Sequence, residues 1–172
     1  MATTLSWDTK EERKAWSAEL LKAIAAHKAD LDSGRPDDFI AGYQKLTPEQ
    51  QVKFWAELII GMAKFESSWN PHTIYHEPPP LGIDSVGLLQ LSYEDQPSYA
   101  LEPLDREKKS LEDPLVNLRC GVKIMARLLA KDHVVASGKG SKSRGAARYW
   151  SVLREGHHID EIKARTKKQL GL

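Results

Sequence analysis

The sequence predicts a mainly α-helical protein with a small irregular β element. Three stretches place apolar residues at helical spacing behind recognisable start signals, which predicts three long helices. Prolines and a glycine interrupt this periodicity near residues 72–90, where we expect the β element. The 172 residues, with 41% hydrophobic and 28% charged side chains, suit one full-sized core, so we expect a single domain over 1–172.

The first helix is predicted to begin at Thr9, which forms a capping box with Glu12. Its apolar face repeats at helical spacing through Trp16, Leu20, Ile24 and Leu31. Gly34 and Pro36 should end this helix, and a short element is expected over residues 39–43.

The second helix has the strongest start signal in the chain. Thr47 is placed as the N-cap, Pro48 lies in the first turn, and Gln50 completes a capping box. The apolar residues between 52 and 65 follow the 3.6-residue period, which predicts a helix buried nearly all round. We expect it to end at Asn70, because the residue before a proline avoids the helical conformation.

The segment after this helix is predicted to be irregular. Residues 71–86 should form a loop or a small β element, and residues 85–91 a tight turn leading into a short helix. Another irregular stretch is expected as far as residue 110.

The last third of the chain is predicted to hold three helices. Asp113-Pro114 opens one that runs to about Lys131. Residues 137–141 should form a flexible loop, followed by helices over residues 143–154 and 160–168.

The net charge of +1 conceals an asymmetric distribution. Residues 119–172 hold 13 basic and 4 acidic side chains, whereas the preceding residues hold 12 and 20. Four basic residues recur at intervals of four and form one stripe on the predicted helix: Arg119, Lys123, Arg127 and Lys131. The stripe is either a solvated helix face or a surface for an anionic polymer.

Several classes of chemistry lack support in the sequence. Cys120 is the only cysteine, so an intramolecular disulfide is impossible, and we expect a buried structural thiol. His72 and His76 occur without the H-E-x-x-H pattern of zinc enzymes, so neither metal nor cofactor is predicted. No apolar run approaches the ~20 residues that span a membrane.

Glu66 is the candidate catalytic acid. It follows Trp55 by three helical turns and therefore shares an apolar face with it. A carboxylate on such a face is neutral, paired or functional, and desolvation raises its pKa toward that of a general acid. The alternative is a helix-end glutamate that reaches solvent. Trp69 beside it is either a sugar-stacking plate or a residue that seals the core.

Four blocks occur in order along the chain: ESSWNP (66–71), SVGLLQ (85–90), DPLVNLRCG (113–121) and AARYW (146–150). They resemble the E-S-x-x-N-P, S-x-G-L-M-Q, D-P-x-x-N-I-x-x-G and A-x-x-Y-N blocks of the soluble lytic transglycosylase catalytic domain, a relative of goose-type lysozyme. The match covers about residues 50–155.

This resemblance implies a lysozyme-like fold and cleavage of the β-1,4 bond between N-acetylmuramic acid and N-acetylglucosamine in peptidoglycan. It implies Glu66 as the single acid/base, which in the lyase version also deprotonates the C6 hydroxyl to give a 1,6-anhydro product. Gln90 would hydrogen-bond a sugar, as both donor and acceptor. Ser67 and Ser85 would orient groups around the acid, and Tyr149 would hydrogen-bond Glu66 or substrate.

The chain departs from the family pattern in ways that affect the reaction. The span from Glu66 to Gly87 is longer than usual and contains Pro78-Pro79-Pro80, and Trp150 replaces the usual asparagine. Three further carboxylates are candidates for a second acid that positions water, as in inverting enzymes: Glu77, Asp84 and Asp95. They favour a hydrolase slightly, and the lyase stays open.

We therefore expect a helical N-terminal segment (1–45), a motif-bearing catalytic core (46–155) and a basic C-terminal helix (156–172). The leading hypothesis is a monomeric bacteriophage endolysin, made in the host cytoplasm and acting on the bacterial cell wall. The alternative is a non-catalytic protein of this fold that binds anionic envelope polymers through the basic stripe. No nucleic-acid partner is expected, because the chain is near neutral and lacks a matching motif.

Overall fold

The computed structural model describes residues 3–172 and confirms the mainly α-helical class. In this range the helices are α1 (Glu11–Ala26), α2 (Lys28–Asp32), α3 (Pro36–Phe39), α4 (Pro48–Ser67), α5 (Asp95–Tyr99), α6 (Pro114–Asp132) and α7 (Ile159–Leu170). Two antiparallel hairpins complete the described structure: β1 (Ile74–His76) with β2 (Asp84–Val86), and β3 (Ala136–Ser137) with β4 (Arg144–Gly145). No helix in this range is long and apolar enough to cross a membrane.

The buried face of the first helix was predicted correctly, but its start was not. The side chains of the predicted apolar face are buried: Trp16, Leu20, Ile24 and Leu31. The capping box is wrong, because α1 begins at Glu11 and the Thr9 hydroxyl bonds instead to the Trp7 carbonyl at 3.4 Å. A break at His27 separates α1 from α2.

Helix α4 runs through the core and carries the predicted capping box. The Gln50 amide donates to Thr47 Oγ1 at 3.2 Å, and the Thr47 amide donates to Gln50 Oε1 at 2.9 Å. Every residue from 54 to 63 is buried, with α1 and α7 packed against the helix. The chain turns left-handed at Ser68 (φ 52°), two residues before the predicted end, and so leaves Glu66 in the last turn.

The β1–β2 hairpin confirms the expected β element. Ile74 pairs with Val86 and His76 with Asp84, and the prolines lie in the connection. The following turn closes at the Val86–Leu91 bridge, and the short helix predicted after it is α5, which begins at Asp95. Gly87 (φ +78°) is required in this turn, since a Cβ would lie 2.4 Å from Asn117 Nδ2.

Helices α6 and α7 were predicted correctly, whereas the helix predicted between them does not form. Asp113 caps α6 by accepting a 2.8 Å hydrogen bond from the Leu115 amide. Residues 138–141 lie in the loop predicted there, as part of the connection between β3 and β4. Residues 144–154 form β4 and two 3₁₀ turns in place of the helix predicted over 143–154. Gly145 explains the difference: its positive φ (+60°) breaks helical geometry, and its amide donates to Asp132 Oδ2 at 2.7 Å.

The predicted basic stripe is partly neutralised. The Arg119 guanidinium pairs with Glu102 at 2.8 Å and with Glu19 at 3.1 Å, and Lys123 bonds to a backbone carbonyl. Arg127 has an exposed side chain. The stripe therefore offers less free charge than its spacing suggested. Cys120 beside it is buried, and burial raises the pKa of its thiol to about 12.

Candidate active site

A cavity of about 710 Å³, here called the cleft, lies between the end of α4, the β1–β2 hairpin and residues 149–154. Six of the residues singled out from the sequence line it: Glu66, Glu77, Ser85, Gln90, Asp95 and Tyr149. The structure therefore brings together side chains that are up to 83 positions apart in the sequence. Ser67 and Asp84 are not among the lining residues.

Glu66 lies in the cleft as a partly buried carboxyl group. Its pKa is raised from 4.5 to about 7: burial raises it most, the positive charge of Arg154 opposes this shift, and the neighbouring charge of Glu77 adds to it. Near neutral pH this acid is protonated in about half of the molecules, a state suited to proton transfer in either direction.

Gln90 presents only its amide oxygen to the cleft. The side-chain nitrogen donates to the Thr73 carbonyl at 2.9 Å and to the Gly87 carbonyl at 3.0 Å, which uses both of its hydrogens. Of the two capacities of this amide, donation is therefore used within the protein, and the expected hydrogen bond to a sugar stays a prediction for the oxygen alone. The free oxygen is an acceptor for a sugar hydroxyl or amide.

The two other carboxylates in the cleft are each held by a hydroxyl. Ser85 Oγ donates to Glu77 Oε1 at 3.2 Å. The Tyr149 hydroxyl donates to Asp95, which also accepts a 2.9 Å bond from the Ser92 amide. Burial raises the pKa of Asp95 and, together with the Asp95 charge, that of Tyr149. Tyr149 is thus bonded to Asp95 and not to Glu66, and the other expected partner, the substrate, stays a prediction.

Two predicted site residues have other roles. Ser67 is buried, with its hydroxyl 2.9 Å from the Leu88 carbonyl and 3.0 Å from the Ala63 carbonyl, so it joins the turn to α4 and does not line the cleft. Asp84 lies outside the cleft because its carboxylate faces His76 at 2.5 Å and Arg106 at 4.0 Å. Glu77 and Asp95 remain as candidates for a second acid.

The tryptophans near the acid support the core. Trp69 packs edge-on against Trp7, with ring centroids 6.4 Å apart, and donates to the Ile60 carbonyl at 3.0 Å. It therefore seals the core and is not a sugar-stacking plate. Trp150 is buried and donates to the Leu89 carbonyl at 2.9 Å, which fixes the turn that carries Gln90.

Sequence reasoning missed three contributions to the cleft. Asn117 is fully buried and binds the Leu89 amide and the Val86 carbonyl, each at 2.9 Å, so it shapes the floor of the turn. Its place in the DPLVNLRCG block was the available signal. Tyr75 and Leu81 are exposed on the hairpin rim, and Arg154 follows the last 3₁₀ turn. Nothing in the local sequence distinguishes Arg154.

Comparisons with known proteins agree with this fold. The family model described as "Transglycosylase SLT domain" matches residues 46–136. The chain is similar to a solved structure of DslA, wild-type form 2, with 30% identity and a TM-score of 0.81 over 96% of this chain and 95% of that one.

Two DslA structures with a glutamate-to-glutamine substitution are also similar. One has 28% identity and a TM-score of 0.80, covering 93% of this chain and 92% of its own. The other has 29% identity and a TM-score of 0.75, covering 96% and 95%. No curated protein sequence matches this chain.

Proposed function

This chain belongs to the transglycosylase SLT domain family of peptidoglycan-cleaving glycosidases, and from that premise we propose that Glu66 is its catalytic acid. The bond cleaved is the β-1,4 linkage between N-acetylmuramic acid and N-acetylglucosamine. The observation that carries the proposal is a partly buried carboxyl group, its pKa raised to about 7 mainly by burial, in a cleft that also contains Glu77, Gln90 and Asp95.

Glu66 donates its proton to the glycosidic oxygen as the bond from that oxygen to C1 breaks. The sugar left behind develops the positive charge of an oxocarbenium ion, which nearby oxygens stabilise. The free amide oxygen of Gln90 accepts a hydrogen bond from the sugar and fixes its position. Because both N–H groups of Gln90 are held by carbonyls, that oxygen points in one direction before substrate arrives.

We favour hydrolysis, in which a water molecule adds to C1 and passes a proton to a second carboxylate. Glu77 is the better candidate, since it acts electrostatically on Glu66 and is held by Ser85. The substituted glutamates of the two DslA variants stand eleven positions apart, as do Glu66 and Glu77. This shared spacing supports a functional pair.

The second candidate reaction is the intramolecular one, which the family description favours. Here the C6 hydroxyl adds to C1 and returns its proton to Glu66, so no second carboxylate is needed. Family membership places the action of the enzyme on the cell wall in either case. The endolysin origin, cytoplasmic synthesis and monomeric state stay predictions.

Mass spectrometry of the soluble fragments released from purified peptidoglycan tests this proposal. We expect wild type to give reducing ends and Glu66→Gln to give no fragments. Glu77→Gln should lose most activity if Glu77 positions water, while Glu107→Gln, an exposed control, should match wild type. Anhydro ends from both wild type and Glu77→Gln would refute hydrolysis and establish the lyase.

A further inference from the structure

Arg154 is the one cationic side chain among the residues that line the cleft within the described chain. Three carboxylates share the cleft with it: Glu66, Glu77 and Asp95. Within residues 3–172, none of these carboxylates forms an ion pair with Arg154, that is, a nitrogen-to-oxygen contact of 4.0 Å or less. The positive charge of Arg154 therefore acts on Glu66 electrostatically, without a direct contact between the two side chains.

The guanidinium of Arg154 is held in a fixed orientation. Its Nε donates to the Ala147 carbonyl at 2.9 Å, and its Nη2 donates to the Arg148 carbonyl at 3.3 Å. These bonds leave Nη1 with both of its hydrogens available. Arg154 is thus a partly buried cation whose orientation is set by the backbone and whose charge has no close carboxylate partner among residues 3–172.

Three other arginines among the described residues are neutralised by carboxylates. Arg148 pairs with Asp132 at 2.5 Å, Arg106 with Glu94 at 2.6 Å and Arg119 with Glu102 at 2.8 Å. Arg154 differs from these three although acids lie in the same cavity. An oriented guanidinium without a counterion is well suited to bind a carboxylate through paired N–H donors.

We propose that Arg154 forms a carboxylate-binding subsite of the cleft, which takes an acidic group carried by the muramic acid residue of the substrate. That group is the free lactyl carboxylate or a carboxylate of the attached stem peptide. The inference rests on the proposed function, because it requires a peptidoglycan glycan in the cleft. It assigns to Arg154 the selection of muramyl sugars over neutral sugars.

Occupation of this subsite also affects the acid. The charge of Arg154 lowers the pKa of Glu66, against burial and Glu77, which raise it. A bound carboxylate offsets the Arg154 charge and so increases the proton affinity of Glu66. Substrates that carry the acidic group would therefore favour the protonated, catalytically competent form of Glu66.

Calorimetric binding to Glu66→Gln, in which turnover is blocked, tests the subsite. The ligands are three forms of the tetrasaccharide of alternating N-acetylglucosamine and N-acetylmuramic acid: free lactyl carboxylates, lactyl groups converted to simple amides, and lactyl groups bearing stem peptides. Adding Arg154→Gln should weaken binding of a carboxylate-bearing form about tenfold and leave the simple amide unchanged. Adding Arg127→Gln, a control at an exposed residue of α6, should leave the affinity for all three ligands unchanged.

The pattern of losses identifies the acidic group. A loss confined to the free lactyl form assigns the subsite to the lactyl carboxylate, and a loss confined to the stem-bearing form assigns it to the peptide. Equal losses for all three ligands, or none, would overturn the proposal. If Glu66→Gln binds none of the three, the proposed substrate fails and this inference fails with it.

Arg154→Lys is a second variant that separates loss of binding from loss of structure. It is needed because the hydrogen bonds of Arg154 to backbone carbonyls also support the 3₁₀ turns. It keeps the positive charge, so we expect it to retain part of the preference for the carboxylate form. The thermal unfolding midpoint of each variant is measured alongside. A preference that disappears in Arg154→Lys as fully as in Arg154→Gln, at unchanged stability, requires the planar guanidinium itself.

Discussion

Replacement of Glu66 by glutamine should stabilise the protein at neutral and alkaline pH. Burial raises the pKa of this carboxyl from 4.5 to about 7 in the folded state. A folded-state pKa above the unfolded value means that the ionised carboxylate destabilises the fold once the pH exceeds the unfolded pKa. Glutamine resembles the protonated acid and cannot ionise, so it removes this cost.

The size of the effect follows from the two pKa values. A rise from 4.5 to about 7 corresponds to about 3 kcal/mol when Glu66 is fully ionised. Because the side chain keeps some contact with water in the cleft, we expect a gain of about 2 kcal/mol. The gain should develop between about pH 4.5 and pH 7 and level off above. For a chain of this length it raises the unfolding midpoint by roughly 4–8 °C.

Differential scanning calorimetry of wild type and Glu66→Gln at about pH 4 and about pH 8 measures this gain. Glu107→Gln is the matched control, since Glu107 is exposed on a loop and should show no comparable gain. A Glu66→Gln protein that is less stable than wild type at pH 8 would refute the reasoning. So would a difference of equal size at both pH values, because burial of an ionised group would then not be its cause.

Three further predictions concern the cleft. Acid catalysis by Glu66 predicts that kcat/KM falls above about pH 7. Because the charge of Glu77 raises the pKa of Glu66, Glu77→Gln should move this fall to lower pH. An unchanged pH profile would contradict the electrostatic effect of Glu77 on Glu66. Gly87→Ala should lower the free energy of unfolding, measured with urea, by about 3 kcal/mol or more, since its Cβ would lie 2.4 Å from Asn117 Nδ2. A decrease below about 1 kcal/mol would show that the turn can shift to accommodate the Cβ. Gln90→Glu places a carboxylate against two carbonyls and should lower kcat/KM at least about tenfold, so unchanged kinetics would exclude a positioning role.

The parts of the fold that could be predicted are those with strong local signals. The Thr47 capping box and the Asp113-Pro114 start define α4 and α6 from a few neighbouring residues. Residues 143–154 have apolar spacing that fits a helix, yet Gly145 turns left-handed where its amide meets Asp132. That contact joins residues 13 positions apart, so local periodicity could not reveal it.

The residues that line the cleft were largely predictable, and the hydrogen bonds between them were less so. The motif blocks placed Glu66, Gln90 and Tyr149 together, and the structure finds all three lining the cleft. The Tyr149 bond to Asp95 and the ion pairing of Asp84 depend on distant partners, so no motif predicts them. Arg154 lies outside every motif, and only its position in the folded chain draws attention to it.

The release of soluble fragments from purified peptidoglycan by wild type and by Glu66→Gln, followed by mass spectrometry, tests the central claim most directly. The account predicts fragments from wild type and none from Glu66→Gln, with calorimetry showing that the variant is folded at the pH of the assay. Fragment release by a folded Glu66→Gln at the wild-type rate would contradict the assignment of Glu66 as the catalytic acid.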